Sequence, residues 1–115
     1  MLAETKDHKS TIEVHQSICV QIYDILREHK GKENAIPAKC ISQKLHLPLE
    51  SSQVVCRTYI AKTIDMFQVP IIACSKGYFI AVRPEEITEY VEHLNARIAG
   101  IQITAEKAQS YFYKN

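Results

Sequence analysis

The sequence predicts a mainly α chain with one small β-hairpin, an α+β fold that ends in a single long helix. Between Asn34 and Val82, two stretches with helical apolar spacing precede two short apolar runs separated by a glycine-containing turn. From Ile87 onward, apolar residues recur with a seven-residue period. We therefore expect a mobile N-terminus over residues 1–10, a folded domain over 11–83 and a C-terminal helix over 84–115.

The first helix is predicted between Thr11 and His29. Gly31 follows it and fits a helix C-terminal cap, because glycine enters the left-handed region without steric cost. We expect the apolar stripe of this helix to cover the back of the domain and part of the C-terminal helix. The stripe consists of Ile12, Ile18, Ile22, Ile25 and Leu26, with Cys19 and Tyr23 beside it.

Two further helices are predicted in the centre of the chain. Pro37 suits the first position of one, which runs to Leu45 and ends before Pro48, because a residue preceding proline is disfavoured in the α region. Ser51 or Ser52 can cap the next helix, and the segment 68–70 ends it. Its predicted core face is formed by Cys56, Ile60, Ile64 and Phe67.

The hairpin follows directly. Residues 71–74 form one apolar strand, Ser75, Lys76 and Gly77 form a tight turn, and residues 78–82 return as a second strand. A short extended link over residues 34–36 precedes the central helices. Helix, short turn, longer helix and hairpin are the elements of a winged helix-turn-helix, in their usual order.

Residues 22–82 resemble small winged helix-turn-helix proteins encoded by phages and prophages of Gram-positive bacteria. The resemblance lies in the segment 31–36 (GKENAI), in Val69-Pro70-Ile71, and in Gly77-Tyr78 followed by apolar residues. It implies the same fold and, by analogy, DNA binding. The chain departs from that group in its very short predicted wing turn, which carries one cation, Lys76.

Charge is unevenly divided along the chain. The net charge of +1 is low for a DNA-binding protein, since phosphate neutralisation supplies most non-specific affinity. Residues 27–83, however, contain nine Lys or Arg against four Asp or Glu. Most of the compensating acids lie downstream, starting with Glu85 and Glu86. The alternative is an ordinary solvated surface with scattered charges.

The third helix is the candidate recognition helix. Glutamine can pair with adenine, arginine with guanine, and threonine can touch a thymine methyl group, whereas lysine suits a phosphate. Serines at a helix N-terminus can bind phosphate through backbone N–H groups. The candidate DNA-binding residues are Ser51, Ser52, Gln53, Arg57, Thr58, Lys62 and Lys76.

The C-terminal helix carries a heptad seam, sustained for about three and a half heptads, which is typical of helix pairing. Pro84 is allowed at the first position of this helix. Glu85 and Glu86 in the first turn interact favourably with the positive end of the helix dipole. We expect the seam to pair with a second chain; the alternative is a helix folded back on the first helix. The candidate dimerisation residues are Ile87, Val91, Leu94, Ile98, Ile101, Ala105 and Phe112, with Ala108 in the same series.

Other classes of protein find little support in the sequence. No apolar run approaches the roughly 18 residues of a membrane span, and residues 1–11 contain no signal-peptide core, so we expect a cytoplasmic protein without a membrane partner. The four cysteines are widely spaced at apolar positions, which indicates reduced core residues rather than a metal site. No catalytic motif is present, and we expect neither enzymatic activity nor a cofactor.

Two functional hypotheses follow. The first is a homodimeric, sequence-specific transcriptional regulator of phage or prophage type that binds double-stranded DNA. The second is a phage-encoded inhibitor or adaptor that binds a host protein through the same fold, for example an anti-CRISPR or other anti-defence factor. The near-neutral charge and small wing favour the second hypothesis, and the fold analogy favours the first.

Overall fold

The computed structural model describes residues 2–49 and 52–114. Within these ranges the chain forms four α-helices, one short 3₁₀ helix and a two-stranded antiparallel sheet. The prediction of a mainly helical α+β chain is therefore confirmed. The chain divides into two compact units, Met1–Val82 and Arg83–Asn115.

Helix α1 spans Leu2–Leu26 and differs from the prediction at both ends. It begins before Thr11 because residues 2–9 include the good helix formers Leu, Ala, Glu and Lys, which need no apolar stripe to be helical. The mobility predicted for residues 1–10 stays a prediction. The apolar stripe is confirmed where it is described, and the side chain of Ile12 lies outside the described part. Its buried members are Cys19, Ile22 and Leu26, and its partly buried members are Ile18, Tyr23 and Ile25.

Gly31 has the backbone conformation expected of glycine, with φ 85° and ψ 149°. Its predicted role as the cap of the first helix is wrong, because α1 ends at Leu26 and Gly31 precedes a 3₁₀ helix, Lys32–Asn34. Residues 29–31 are instead hydrogen-bonded to the second strand of the hairpin. The Gly31 N–H donates to the Ile80 carbonyl at 2.9 Å, and the Ile80 N–H donates to the His29 carbonyl at 3.0 Å.

Helices α2, Ala38–Leu45, and α3, Val54–Phe67, lie close to their predicted positions. Pro37 is the N-cap of α2 rather than its first helical residue. The predicted core face of α3 is confirmed, since Cys56 and Ile60 are buried and Ile64 and Phe67 are partly buried.

Thr63 is fully buried on α3, which the apolar spacing did not predict. Its hydroxyl donates to the Tyr59 carbonyl at 2.7 Å, so the polar group is satisfied within the helix. A β-branched side chain with an internally satisfied hydroxyl can therefore occupy a core position.

The hairpin is confirmed, with β1 at Ile71–Cys74 and β2 at Gly77–Ile80. Ile71 pairs with Ile80 and Cys74 with Gly77, so Ser75 and Lys76 form the turn. Gly77, which was predicted to lie in the turn, is instead the first residue of β2. The second strand ends at Ile80 rather than Val82. The Ala81 N–H still donates to the Pro70 carbonyl, 3.0 Å away, but Pro70 has no N–H to donate in return, so the ladder stops there.

Strand β2 also pairs with the link that precedes α2. The Ile36 N–H donates to the Tyr78 carbonyl at 2.9 Å, and the Tyr78 N–H donates to the Ile36 carbonyl at 2.8 Å. Gly77 makes this approach possible, because a Cβ there would overlap the Ile36 carbonyl and lie 2.6 Å from the Pro37 nitrogen. The hairpin is thus tied to the segment that starts α2.

One hydrophobic core joins these elements. Helix α1 packs against α2, α3 and β2, and Tyr23 stacks on Phe67 with ring centroids 4.6 Å apart. Every element of the first unit except the 3₁₀ helix supplies a buried residue to the core. The cluster comprises Ile22, Leu26, Ile36, Ile41, Cys56, Ile60, Ile71 and Ile80.

Helix α4, Pro84–Lys114, forms most of the second unit. Pro84 is its first residue, as predicted. The Glu86 carboxylate accepts a bond from the Arg83 backbone N–H at 3.0 Å and another from the Arg83 guanidinium at 3.3 Å, which is half of a capping box. None of the described helices is both long and apolar enough to cross a membrane.

We expect Gly77→Ala to lower the free energy of unfolding by at least about 2 kcal/mol, because φ is 130° there and the new methyl group meets the link backbone. Urea denaturation measures this change. Gly100→Ala is the matched control, since nothing lies within 4 Å of its added Cβ; its unfolding midpoint should be unchanged or higher. Wild-type stability of Gly77→Ala would contradict the pairing of the link with β2.

Candidate nucleic-acid interface

The segment between α2 and α3 has a left-handed residue at each end. His46 caps the C-terminus of α2 with φ 56° and ψ 37°. Gln53 is the N-cap of α3, with φ 53° and ψ 42°. The Leu47 N–H donates to the Ser42 carbonyl at 2.9 Å and closes the end of α2. The two left-handed residues fix where α2 stops and where α3 starts.

Gln53 has a structural role that the sequence did not reveal. Its side-chain Oε1 accepts a hydrogen bond of 2.9 Å from the hydroxyl of Ser42, which is fully buried. The predicted capping of α3 by Ser52 is therefore wrong. The N-cap of α3 is Gln53, whose side chain is bonded to Ser42 of α2. Ser52 is an exposed turn residue, and Ser51 lies outside the described residues.

The outer face of α3 brings three predicted residues together. Arg57, Thr58 and Lys62 are all exposed on this one helix. Among the described residues no acidic side chain forms an ion pair with Arg57 or Lys62. The face therefore presents two cations with a short hydroxyl side chain between them.

Exposed residues at helical spacing complete this face, and the functional assignment from sequence missed them. Val54 and Ala61 are exposed, four residues before and three after Thr58, so they share its side of α3. Asp65 is exposed four residues beyond Ala61 and adds an acid near the C-terminal end. The spacing alone could have identified these positions, because they lie opposite the core residues Cys56 and Ile60.

Tyr59 and Lys62 are joined by a cation–π contact. The Lys62 ammonium lies 5.4 Å from the centroid of the Tyr59 ring, whose edge-to-face partner is His15 of α1 at 5.5 Å. Tyr59 therefore packs towards α1, and Lys62 extends along its ring. This contact limits the freedom of the Lys62 side chain at the edge of the outer face.

The remaining predicted cation, Lys76, lies on a different element. It is exposed in the two-residue turn between β1 and β2. Lys39 and Lys44 are further exposed cations on α2, and Gln43 is exposed between them. The nine cations of residues 27–83 are thus spread along the whole segment, with two on α2, two on α3 and one in the hairpin turn.

The cysteines belong to the packing of the first unit. All four are free thiols, with Cys19 and Cys56 buried and Cys40 and Cys74 partly buried. Burial raises the pKa of the Cys56 thiol and so favours its protonated form, whereas the hydrogen bond with Ser42 lowers that pKa by a smaller amount. The described part of the chain contains no group of three or more His, Cys, Asp or Glu residues that could hold a metal ion.

The predicted dimerisation residues lie along α4, where they are largely exposed in the single chain. Leu94 is the partly buried exception, and the exposed fraction rises from 38% at Ile87 to 75% at Phe112. Ile98 and Ile101 are 60% and 67% exposed. A helix with this many exposed aliphatic and aromatic side chains in heptad spacing has the pattern of a pairing surface.

Comparison with known proteins adds no assignment: no protein-family model matches the chain, and neither a curated protein nor a solved structure is significantly similar to it.

We expect Gln53→Ala to lower the free energy of unfolding by about 1–3 kcal/mol, because the buried Ser42 hydroxyl loses its acceptor. The loss should not add to that of Ser42→Ala in the double variant, as a double-mutant cycle by urea denaturation measures. Gln43→Ala, which truncates an exposed glutamine on α2, is the control and should stay within about 0.5 kcal/mol of wild type. Additive losses would contradict the contact between Ser42 and Gln53.

Proposed function

We propose that residues 11–83 form a winged helix-turn-helix that binds double-stranded DNA, and that the chain is a homodimeric transcriptional regulator of phage or prophage type. The observation that carries this proposal is the outer face of α3, where Arg57, Thr58 and Lys62 are exposed together on the helix that follows the turn. In this proposal α3 enters the major groove and the hairpin is the wing.

The order and anchoring of the elements support the fold assignment. Helix α2, a turn and the longer α3 precede a hairpin, and α1 packs against both helices. The link residue Ile36 pairs with Tyr78 of β2, so a short third extended segment lies beside the two strands of the proposed wing. Each of these features has its counterpart in a winged helix-turn-helix.

The chemistry of the outer face suits base and phosphate contacts. Arg57 can donate two hydrogen bonds to the major-groove edge of guanine. The Thr58 hydroxyl already donates to the Val54 carbonyl at 2.8 Å, so Thr58 would meet a base through its methyl group. The small side chain of Ala61 allows the helix to approach the groove floor closely.

Cations around this face would position the domain on the DNA backbone. Lys62 lies at the edge of the face beside Tyr59, where it suits a phosphate rather than a base. Lys76 is the single cation of a two-residue turn, so the proposed wing contributes at most a phosphate contact. Gln53 holds the turn through Ser42 and acts by positioning α3.

Helix α4 would join two such domains. Its heptad seam leaves large apolar side chains exposed in the single chain, and burying them between two copies is favourable. Two copies of α3 on one symmetric dimer would read a site made of two related half-sites.

Protein binding is the second candidate function, and exposed apolar residues near the start of α3 favour it. Leu49 is 57% exposed and Val54 is 46% exposed. In this case a host protein would cover the same end of α3, as expected of a phage-encoded inhibitor or adaptor such as an anti-CRISPR factor. Arg57 would then matter little for function.

We expect Arg57→Ala to weaken binding to a specific duplex by about 1–3 kcal/mol and to relax discrimination at one base pair. Lys62→Ala should weaken binding to all sequences similarly and reduce the salt dependence by about one phosphate contact. Fluorescence anisotropy at several salt concentrations separates the two effects.

Lys107→Ala, which removes an exposed cation from α4, is the control for loss of one positive charge. It should bind DNA like wild type, and all three variants should unfold at the wild-type urea midpoint. If Arg57→Ala and Lys62→Ala bind like wild type, α3 is not the recognition helix.

We expect Ile101→Asp to convert the dimer to monomer, because it places a charge in the seam between two helices. Ile103→Asp is the matched control: Ile103 is also an exposed isoleucine of α4, but it lies off the seam. Sedimentation velocity distinguishes the two species. A dimer that survives Ile101→Asp, or a loss of dimer in both variants, would contradict pairing through this seam.

A further inference from the structure

The seam of α4 is asymmetric along its length. Its first half carries large aliphatic residues, its second half carries alanines, and Phe112 lies at its end. We infer that two copies of α4 pair antiparallel, in the register that places Ile98 of each copy opposite the partner's Ile101. This inference rests on the proposed dimer and adds its direction and register.

Antiparallel pairing matches large residues with small ones in successive layers. With Ile98 opposite the partner's Ile101, Leu94 lies opposite the partner's Ala105 and Val91 opposite the partner's Ala108. The outermost layer pairs Ile87 with the partner's Phe112. No layer then consists of two alanines or of two phenylalanines, so side-chain volume is spread more evenly along the pair than in a parallel arrangement, which favours close packing.

Parallel pairing would place each seam residue beside its own copy. Ala105 and Ala108 would then form two consecutive layers of small side chains, directly before a layer with two copies of Phe112. The large aromatic pair would hold the helix ends apart and leave a void beside the alanines, and such voids are unfavourable. The sequence of side-chain sizes therefore favours the antiparallel direction.

Charge along α4 points to the same direction. Residues 84–93 contain four glutamates and no Lys or Arg, whereas residues 94–114 contain Arg97, Lys107 and Lys114 against Glu106. Antiparallel pairing brings the acidic end of each helix beside the basic half of the other, and it also opposes the two helix dipoles. Parallel pairing would bring the two acidic ends together.

The surface of α4 has a shallow, open depression beside the seam. Gly100, Thr104 and Ala105 line it beside Ile101, with Arg97 at its border. In the inferred pair, the partner's Leu94 packs against Ala105, on the side of this depression that belongs to the seam. The flanking heptad positions are mostly uncharged, so they do not oppose this arrangement: Thr88, Tyr90, Asn95, Arg97, Gln102, Thr104, Gln109 and Tyr111.

The direction has a consequence for DNA binding. The two Pro84 residues, where the first units are attached, would lie roughly 45 Å apart along the helix pair, against roughly 10 Å for parallel pairing. Antiparallel α4 helices would therefore act as a spacer between two DNA-binding units rather than a clamp that holds them side by side.

A photo-crosslinker at position 111 tests the direction in the full chain. Tyr111→p-benzoylphenylalanine keeps an aromatic side chain at the edge of the seam. Isotope-labelled and unlabelled chains are mixed, irradiated and digested, and mass spectrometry identifies crosslinks between copies. We expect crosslinks to the partner's segment 87–91 and none to the segment 108–114. The control, p-benzoylphenylalanine in place of Ile103, should give few crosslinks between copies, because Ile103 lies off the seam.

Crosslinks between the two 108–114 segments would overturn the antiparallel direction and leave the proposed regulator intact. A chain that sediments as a monomer at crosslinking concentrations would overturn both the inference and the proposed dimer. DNA binding by that monomer would still support the proposed role of α3, so the two failures are distinguishable.

Discussion

The paired backbone of Ile36 and Tyr78 is the contact on which the arrangement of the first unit depends. Their reciprocal hydrogen bonds of 2.9 and 2.8 Å tie the hairpin to the start of α2, and the absence of a side chain at Gly77 permits the approach. Strand β2 thereby pairs with β1 on one side and with the link on the other. Ile22 and Leu26 of α1, both fully buried, belong to the core under these elements. Helix α1 packs against α2, α3 and β2, so the hairpin and the two central helices share one core.

Local signals were sufficient for much of this fold. The bounds of α2 follow from Pro37 and the break before Pro48, and the hairpin turn follows from Gly77, because each depends on residues within a few positions. Contacts between distant residues could not be read in this way. The backbone N–H of Gly31 donates to the carbonyl of Ile80, far along the chain. Gln53 is the N-cap of α3 in place of a serine, and its side chain accepts a hydrogen bond from Ser42, eleven residues earlier. The buried Thr63 is satisfied by its own helix, so its polarity misled the prediction of the core. The exposed face of α3 was predictable from spacing, but the contact of Lys62 with Tyr59 was not.

The two surfaces proposed to carry function have different physical origins. The outer face of α3 carries the exposed cations Arg57 and Lys62 and packs against nothing in the core, so substitutions there should change binding without unfolding the chain. The seam of α4 is apolar and exposed in the single chain, so its burial depends on a partner. A net charge of +1 for the whole chain conceals this division, because the acids at the start of α4 offset the cations of residues 27–83. Sequence-specific contacts, rather than general attraction to phosphate, would then have to supply much of the affinity.

Selection from a pool of random duplex DNA by the purified full-length protein at low salt, read by sequencing, tests the central claim most directly. We expect enrichment of one motif made of two inverted half-sites, with a fixed spacing that reports the separation of the two copies of α3. Arg57→Ala should lose or alter that motif. No enrichment, together with binding that disappears at modest salt, would contradict sequence-specific recognition by α3 and leave only generic phosphate contact. A protein partner would then become the leading candidate for what this chain binds.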